Sequence, residues 1–231
     1  MLAEEILVVL SLSLFASAVF AIIDLATAPI RGQTRLLYPV APLATQLASI
    51  AFALAPVWLV LHLTRRAGEP LSELGLTTSS FWRDVVLGAA LAVIVGAAGV
   101  GLYLGSVSLG LNRCVIPVPP LGHWWTVPIL LLGAAQAGLL EEVVDVGYLI
   151  PRLQRLSLSG PAAVGLSALL RGAYHLYQGW GGFAGSLALG ALFGTAFLRW
   201  RRTWPLVIAH ALLDTGAGIG YLLFRSHLPG C

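Results

Sequence analysis

Residues 138–149 read GLLEEVVDVGYL: two adjacent glutamates, Glu141 and Glu142, and a third acid, Asp145, inside a long apolar run. Further on, ALLRGAYHLYQG carries Arg171 and His175, and VIAHALLDTG carries His210 and Asp214. An Asp, Lys or Arg at membrane depth costs at least about 2.5 kcal/mol on insertion scales, so such groups face the protein interior and mark function. Arg171 and His175 are four residues apart, as are His210 and Asp214. Each pair therefore shares one helix face. A carboxylate with an imidazole can orient and deprotonate a water. An imidazole N–H and a side-chain dipole can stabilise the oxyanion formed when water attacks an amide. No Ser or Cys lies in helix register with these groups as an obvious nucleophile, which favours activated water over a covalent intermediate. Glu141, His175 and His210 also match a zinc donor set of one Glu and two His. Both readings stay open on the residues alone.

The elements that must position these groups are helices. From Glu141 to His175 is 34 residues, and Leu158 is 17 from each. A hairpin turning near Ser157–Gly160 then holds Glu141 and His175 at one depth, about 25 Å from the turn at ~1.5 Å per residue. His210 is only about seven residues past the Arg201–Arg202 turn, roughly 10 Å deep. For the three to meet, the hairpin PRLQRLSLS must project beyond the membrane.

Composition sets the surroundings. The 231 residues are 58% apolar and 10% charged, where a soluble domain has about a quarter charged. Apolar stretches of spanning length fall at about 4–28, 38–64, 85–109, 125–150, 161–178, 183–199 and 204–224, each near the ~20 residues that a bilayer requires. The predicted fold is all-α: a polytopic helical membrane bundle with about seven spans, six to eight. It forms a single membrane domain over 1–231. Pro42 and Pro56 predict kinks in the second span. The acids of MLAEEILVVL stand where a signal peptide needs cations, so this segment reads as a retained first helix.

All 13 basic residues are arginine, and the net charge of +3 is scattered, which excludes a nucleic-acid partner. With the N-terminus cytoplasmic, the inner loops hold eight arginines (65, 66, 83, 152, 155, 199, 201 and 202) and the outer loops four (31, 35, 113 and 225). That asymmetry predicts a multi-pass protein of the cell membrane with its N-terminus inside. The Arg-only composition suggests a bacterial source. The segment 65–84 reads as the main polar linker, and the Pro-rich 111–124 as an irregular outer loop. Cys114 and Cys231 have no metal-type spacing; a disulfide and two free thiols are the alternatives. Gly181/Gly185 and Gly190/Gly194 have the spacing of close helix packing.

Three motifs together carry a resemblance. EEVVDVGYL resembles the EExxxR motif of the CPBP family (CAAX prenyl proteases and bacteriocin-processing enzymes, or Abi). RGAYHLYQG resembles its FxxxH motif and HALLD its HxxxN/D motif, in the family's order and spacing. The resemblance covers about residues 125–224 and implies a catalytic core there. It implies a helical intramembrane bundle that hydrolyses a peptide bond in a membrane-associated or prenylated substrate. Carried over, Glu141 and His175 activate the water, His210 and Asp214 form the oxyanion site, and Glu142 orients the site. No cofactor is required in this mechanism; a zinc ion held by Glu141, His175 and His210 is the metalloprotease version.

Two positions depart from the family. Val146 replaces the arginine of EExxxR, and Arg171 replaces the aromatic of FxxxH. Arg171 is expected to pair with Glu142, the cation having moved to the neighbouring helix. A structural ion pair without catalysis is the bland alternative. Asp145 is assigned no role, nor are His62, His123 and His227. Tyr174, Tyr177 and Gln178 either bind substrate or support His175. The rival from another class is a transporter or immunity-type binding protein whose intramembrane acids relay protons or hold a cation.

Overall fold

A computed structural model describes residues 2–12, 14, 17–18, 21–22, 34–36, 43–119 and 121–227. Asp24, Arg31, Pro42 and Cys231 lie outside them, as do the side chains of Arg35, Cys114 and His227. The pairing of the two cysteines therefore lies outside the described residues.

The described elements are α1 (Leu2–Ser11), α2 (Leu43–Ala53), α3 (Ala55–Arg66), α4 (Phe81–Ser108), α5 (Thr126–Glu141), a π-helical segment (Glu142–Tyr148), α6 (Leu149–Arg155), α7 (Gly160–Tyr174), α8 (Trp180–Trp200) and α9 (Trp204–Phe224). The architecture is a helical bundle, as the composition requires. Among the described residues, five helical stretches are long and apolar enough to cross a membrane: Gln46–Arg66, Phe81–Ser108, Thr126–Arg155, Trp180–Trp200 and Trp204–Phe224. The sequence suggests about seven spans. Of the other two, the first is described only in part, and α7 has only 15 residues. A helix of that length reaches about 22 Å, short of a bilayer core.

Pro56 starts a new helix at α3, where Leu54 interrupts the run from α2, because proline lacks the N–H that would continue the ladder but suits a first turn. The Pro-rich outer segment is not wholly irregular. Cys114–Ile116 pairs in parallel with Thr34–Leu36, using the β-branched Val115 and Ile116.

The core is built on the π-helical segment. Val143, Val144, Val146 and Tyr148 from it are packed with Leu149, Ile150, Phe193, Phe197 and Leu206. α7 packs on α8, and α9 lies against both α4 and α5. Glycines allow the close approaches. A Cβ on Gly190 would come 2.9 Å from the Ala168 Cα, and one on Gly194 would come 3.0 Å from Val164. This is the close packing of α7 and α8 that the glycine spacing predicts.

The hairpin turns at Leu156–Ser159, with Ser157 in the left-handed region at φ 70°. Ser159 caps α7 by accepting from the Ala162 N–H at 3.4 Å. The linker after α3 makes a 3₁₀ turn at Leu71–Leu74 and ends on Gly75, φ 70°. It folds back over the hairpin: Arg152 donates to Glu69 at 2.7 Å, and Arg155 binds Glu69 and, at 3.3 Å, Glu73.

The depth mismatch of His210 is resolved at Gly147. A Cβ there would lie 2.7 Å from the Leu74 carbonyl and 3.0 Å from the Thr203 hydroxyl. Thr203 in turn donates to the Leu74 carbonyl at 2.5 Å, and its N–H donates to the Gly75 carbonyl at 3.0 Å. Gly147 and the start of α9 are thus level. Glu142 is five residues back from one and His210 seven on from the other, so the two reach one depth. Residues 148–159 project past the α8–α9 turn.

Candidate active site

α5 runs directly into the π-helical segment at the Glu141–Glu142 pair. An i→i+5 helix is rare and is frequent at functional sites. Here the Leu149 N–H reaches back to the Val144 carbonyl. The wider turn puts all seven of its residues, from Glu142 to Tyr148, in the interior.

Arg171, in the last turn of α7, is completely buried and faces both glutamates. Its Nη2 donates to Glu142 Oε1 and, at 3.1 Å, to Glu141 Oε2. Its Nε also lies 3.3 Å from Glu141 Oε2, and its Nη1 lies 3.5 Å from Glu142 Oε2. The guanidinium sits over the Phe193 ring, 5.7 Å from the centroid. The pairing of Arg171 with Glu142 expected from the sequence is present, and Glu141 joins it. Val146, at the position of the EExxxR arginine, is buried in the apolar core. The cation therefore comes from the neighbouring helix, and it explains how adjacent carboxylates are tolerated: a charge-assisted network faces them.

The two glutamates are not equivalent. The Glu142 side chain is 0% exposed and that of Glu141 14%. Glu142 also accepts from His210 Nδ1 at 2.6 Å. That bond puts the proton on Nδ1, so the 3.2 Å approach of Arg171 Nη2 to the same nitrogen brings together two donors that share Glu142 Oε1. On the other edge of the ring, Nε2 lies 3.5 Å from Asp214 Oδ2. Asp214 itself is 45% exposed.

The contacts to Glu141 converge on Oε2. Besides Arg171, the Tyr174 hydroxyl donates to it at 2.7 Å. His175 caps the end of α7, and its Nδ1 donates to the Arg171 carbonyl at 3.0 Å. Nε2 is then the nitrogen with the lone pair. The His175 ring lies between Tyr174, 4.8 Å away, and Tyr177, 6.0 Å away. The loop beyond it is held by Asn112, whose side-chain oxygen accepts from the Gly182 N–H at 2.9 Å, and by Arg113, whose N–H donates to the Gln178 carbonyl at 2.9 Å.

Glu141, Glu142, Arg171, His175 and His210 are thus gathered in one linked cluster, with Asp214 at its exposed edge. Tyr174 belongs to it as a donor to Glu141. Its adjacency to His175 was the signal in the sequence, but adjacency could not say which way the hydroxyl points. Asp145 is fully buried, and neither carboxyl oxygen has a hydrogen-bond partner among the described residues. Its backbone carbonyl accepts from the Ser167 hydroxyl at 3.0 Å. Among the described residues, no three His, Cys, Asp or Glu side chains are grouped to hold a metal ion.

Residues 123–216 match the sequence model of the Rce1-like family, described as type II CAAX prenyl endopeptidase. Over these residues the chain is similar to the CAAX protease family. The matched span contains every member of the cluster, from Glu141 to Asp214. No curated protein and no solved structure matches the chain. With five apolar spanning helices, this CAAX protease relative is an integral membrane protein.

Proposed function

We propose that the chain is an intramembrane endopeptidase of CAAX type, hydrolysing a peptide bond with water activated by Glu141 and His175. The observation that carries this reading is the inequality of the glutamates. Glu142 is sealed in by Arg171 and His210, while Glu141 is partly exposed and holds its donors on Oε2. Glu141 Oε1 takes one proton of the water, and His175 Nε2 accepts a hydrogen bond from the other. The water oxygen attacks the carbonyl carbon. His210 and Asp214 form the oxyanion site: His210, with a proton on each ring nitrogen, donates from Nε2 to the oxyanion, and the Asp214 carboxylate beside it holds that imidazolium in place. Collapse breaks the C–N bond, and Glu141 returns the proton to the leaving amine. Glu142 and Arg171 hold the assembly in place.

The proposed catalytic core is 125–224 within a single membrane domain. The favoured substrate is a prenylated or otherwise membrane-associated peptide, and the favoured orientation has the N-terminus inside a bacterial cell membrane. The test is cleavage of a farnesylated CAAX peptide and of an unprenylated membrane peptide by protein reconstituted in liposomes. Glu141→Gln should abolish cleavage while leaving the protein folded. A chelator should leave activity intact; loss of activity that zinc restores would replace this mechanism with a metal-dependent one. Full activity in Glu141→Gln would end both versions and leave the transporter or binding protein as the better account.

A further inference from the structure

Eight arginines occupy one end of the bundle, where α3 and α8 finish and α4 and α9 begin. Contacts tie that end together. Arg202 binds Asp84 through Nε at 2.5 Å and Nη2 at 2.6 Å, linking the α8–α9 turn to the start of α4. Thr203 holds the linker at Leu74. The arginines fall into two classes. Arg152, Arg155 and Arg202 are neutralised by Glu69, Glu73 and Asp84. Arg65, Arg66, Arg83, Arg199 and Arg201 are exposed, and among the described residues they have no carboxylate partner. The acids at this end are thus spent on three arginines, and five positive charges point outward.

A second observation says what lies opposite them. Phe81 and Trp82, directly before Arg83, are 60% and 76% exposed. From there α4 presents the exposed Val86, Val93 and Ile94 along its length. Exposed aromatic rings at the end of a lipid-facing helix sit at headgroup level, which places the free guanidinium groups at the depth of lipid phosphates. Arginine binds phosphate through paired N–H donors, which a point-charge ammonium cannot do, and this chain has arginine at every basic position. We propose that these five arginines without a carboxylate partner form a binding surface for the phosphodiester headgroups of anionic phospholipids.

The surface would anchor the end of the bundle from which the α8–α9 turn positions His210. It is tested with the full chain in a neutral detergent, titrated with dioleoyl phosphatidylglycerol or dioleoyl phosphatidylcholine while thermal unfolding is followed. The anionic lipid should stabilise at concentrations at least about tenfold lower than the zwitterionic one, given a gain of roughly fivefold per arginine near the surface. The preference should vanish in about 0.5 M NaCl, where screening acts within roughly 5 Å. Inorganic phosphate at the same concentration should do nothing. Replacing all five arginines with glutamine should equalise the two lipids. If that variant does not fold, Arg65→Gln/Arg66→Gln should still weaken the preference by several-fold. Equal effects of the two lipids, stabilisation by phosphate alone, or an unchanged preference in the double variant would each overturn the proposal.

Discussion

Glu141 and Glu142 are neighbours in the chain, yet one is partly exposed and the other is sealed, and that difference governs what each substitution should do. Glu141→Gln keeps the shape and removes the base, so cleavage should fall by about 10²–10⁴-fold with folded yield unchanged. His175→Ala should be as severe, and the double variant little worse, because parts of one unit are not additive. Tyr174→Phe removes a single donor from Glu141 Oε2 and leaves the ring beside His175. A roughly tenfold loss in kcat with KM unchanged is expected, the worth of one hydrogen bond to a charged group. Asp214, half in solvent, should matter less: Asp214→Ala should cost below the ~10²–10³-fold of a lost oxyanion donor. Kinetics on the reconstituted variants check all four.

At the scale of elements, the π-helical segment is the piece on which the others converge. Gly147 is pressed between Leu74 and Thr203, so Gly147→Ala must push the linker or α9 away. It should destabilise by about 1–3 kcal/mol and lower activity, because the same contact sets Glu142 level with His210. Arg171→Ala should be worse, about 3–5 kcal/mol, since it strands buried carboxylates; thermal unfolding in detergent measures both. The linker clamp carries a pH dependence. Burial opposes the charge on Glu69, but hydrogen bonds from Arg155 and Arg152 and their positive charges outweigh it, and the carboxyl titrates below its ordinary value. Its folded pKa is depressed, so its contribution is present at neutral pH and is lost as pH falls below about 4.3, the unfolded value. The stability difference between the wild type and Glu69→Gln should therefore shrink in acid.

For the whole molecule, the alternation of the five apolar stretches puts the linker, the hairpin and the α8–α9 turn at one end and the Asn112–Gly179 contact at the other. If arginine asymmetry sets the topology, the linker end is cytoplasmic. In a variant lacking the native cysteines, Thr78→Cys should then react with a membrane-impermeant maleimide only when the inner face is accessible. Labelling of intact cells would reverse the proposed orientation.

How much of this was legible in the residues differs from one feature to the next. Hydropathy alone made the bundle helical, because backbone groups in lipid must be satisfied within the segment. The four-residue spacings and the 34-residue step from Glu141 to His175 made a common depth visible, because helical rise is constant. The need for a cation near Glu142 was readable too, since adjacent buried carboxylates demand one, and Arg171 was the charge at hand. The sequence could not say that α7 would stop at Tyr174, short of a full span. It could not say that the helix would widen at Glu142, because a π turn depends on packing from several neighbours. Nor did it say that Arg152 would be buried by the linker rather than bathed in solvent, or that Tyr174 would turn its hydroxyl onto Glu141. These are long-range matters. Local spacing sets which residues share a face, but only the meeting of the linker, the π-helical segment and α9 at Gly147 decides that Glu142 and His210 touch.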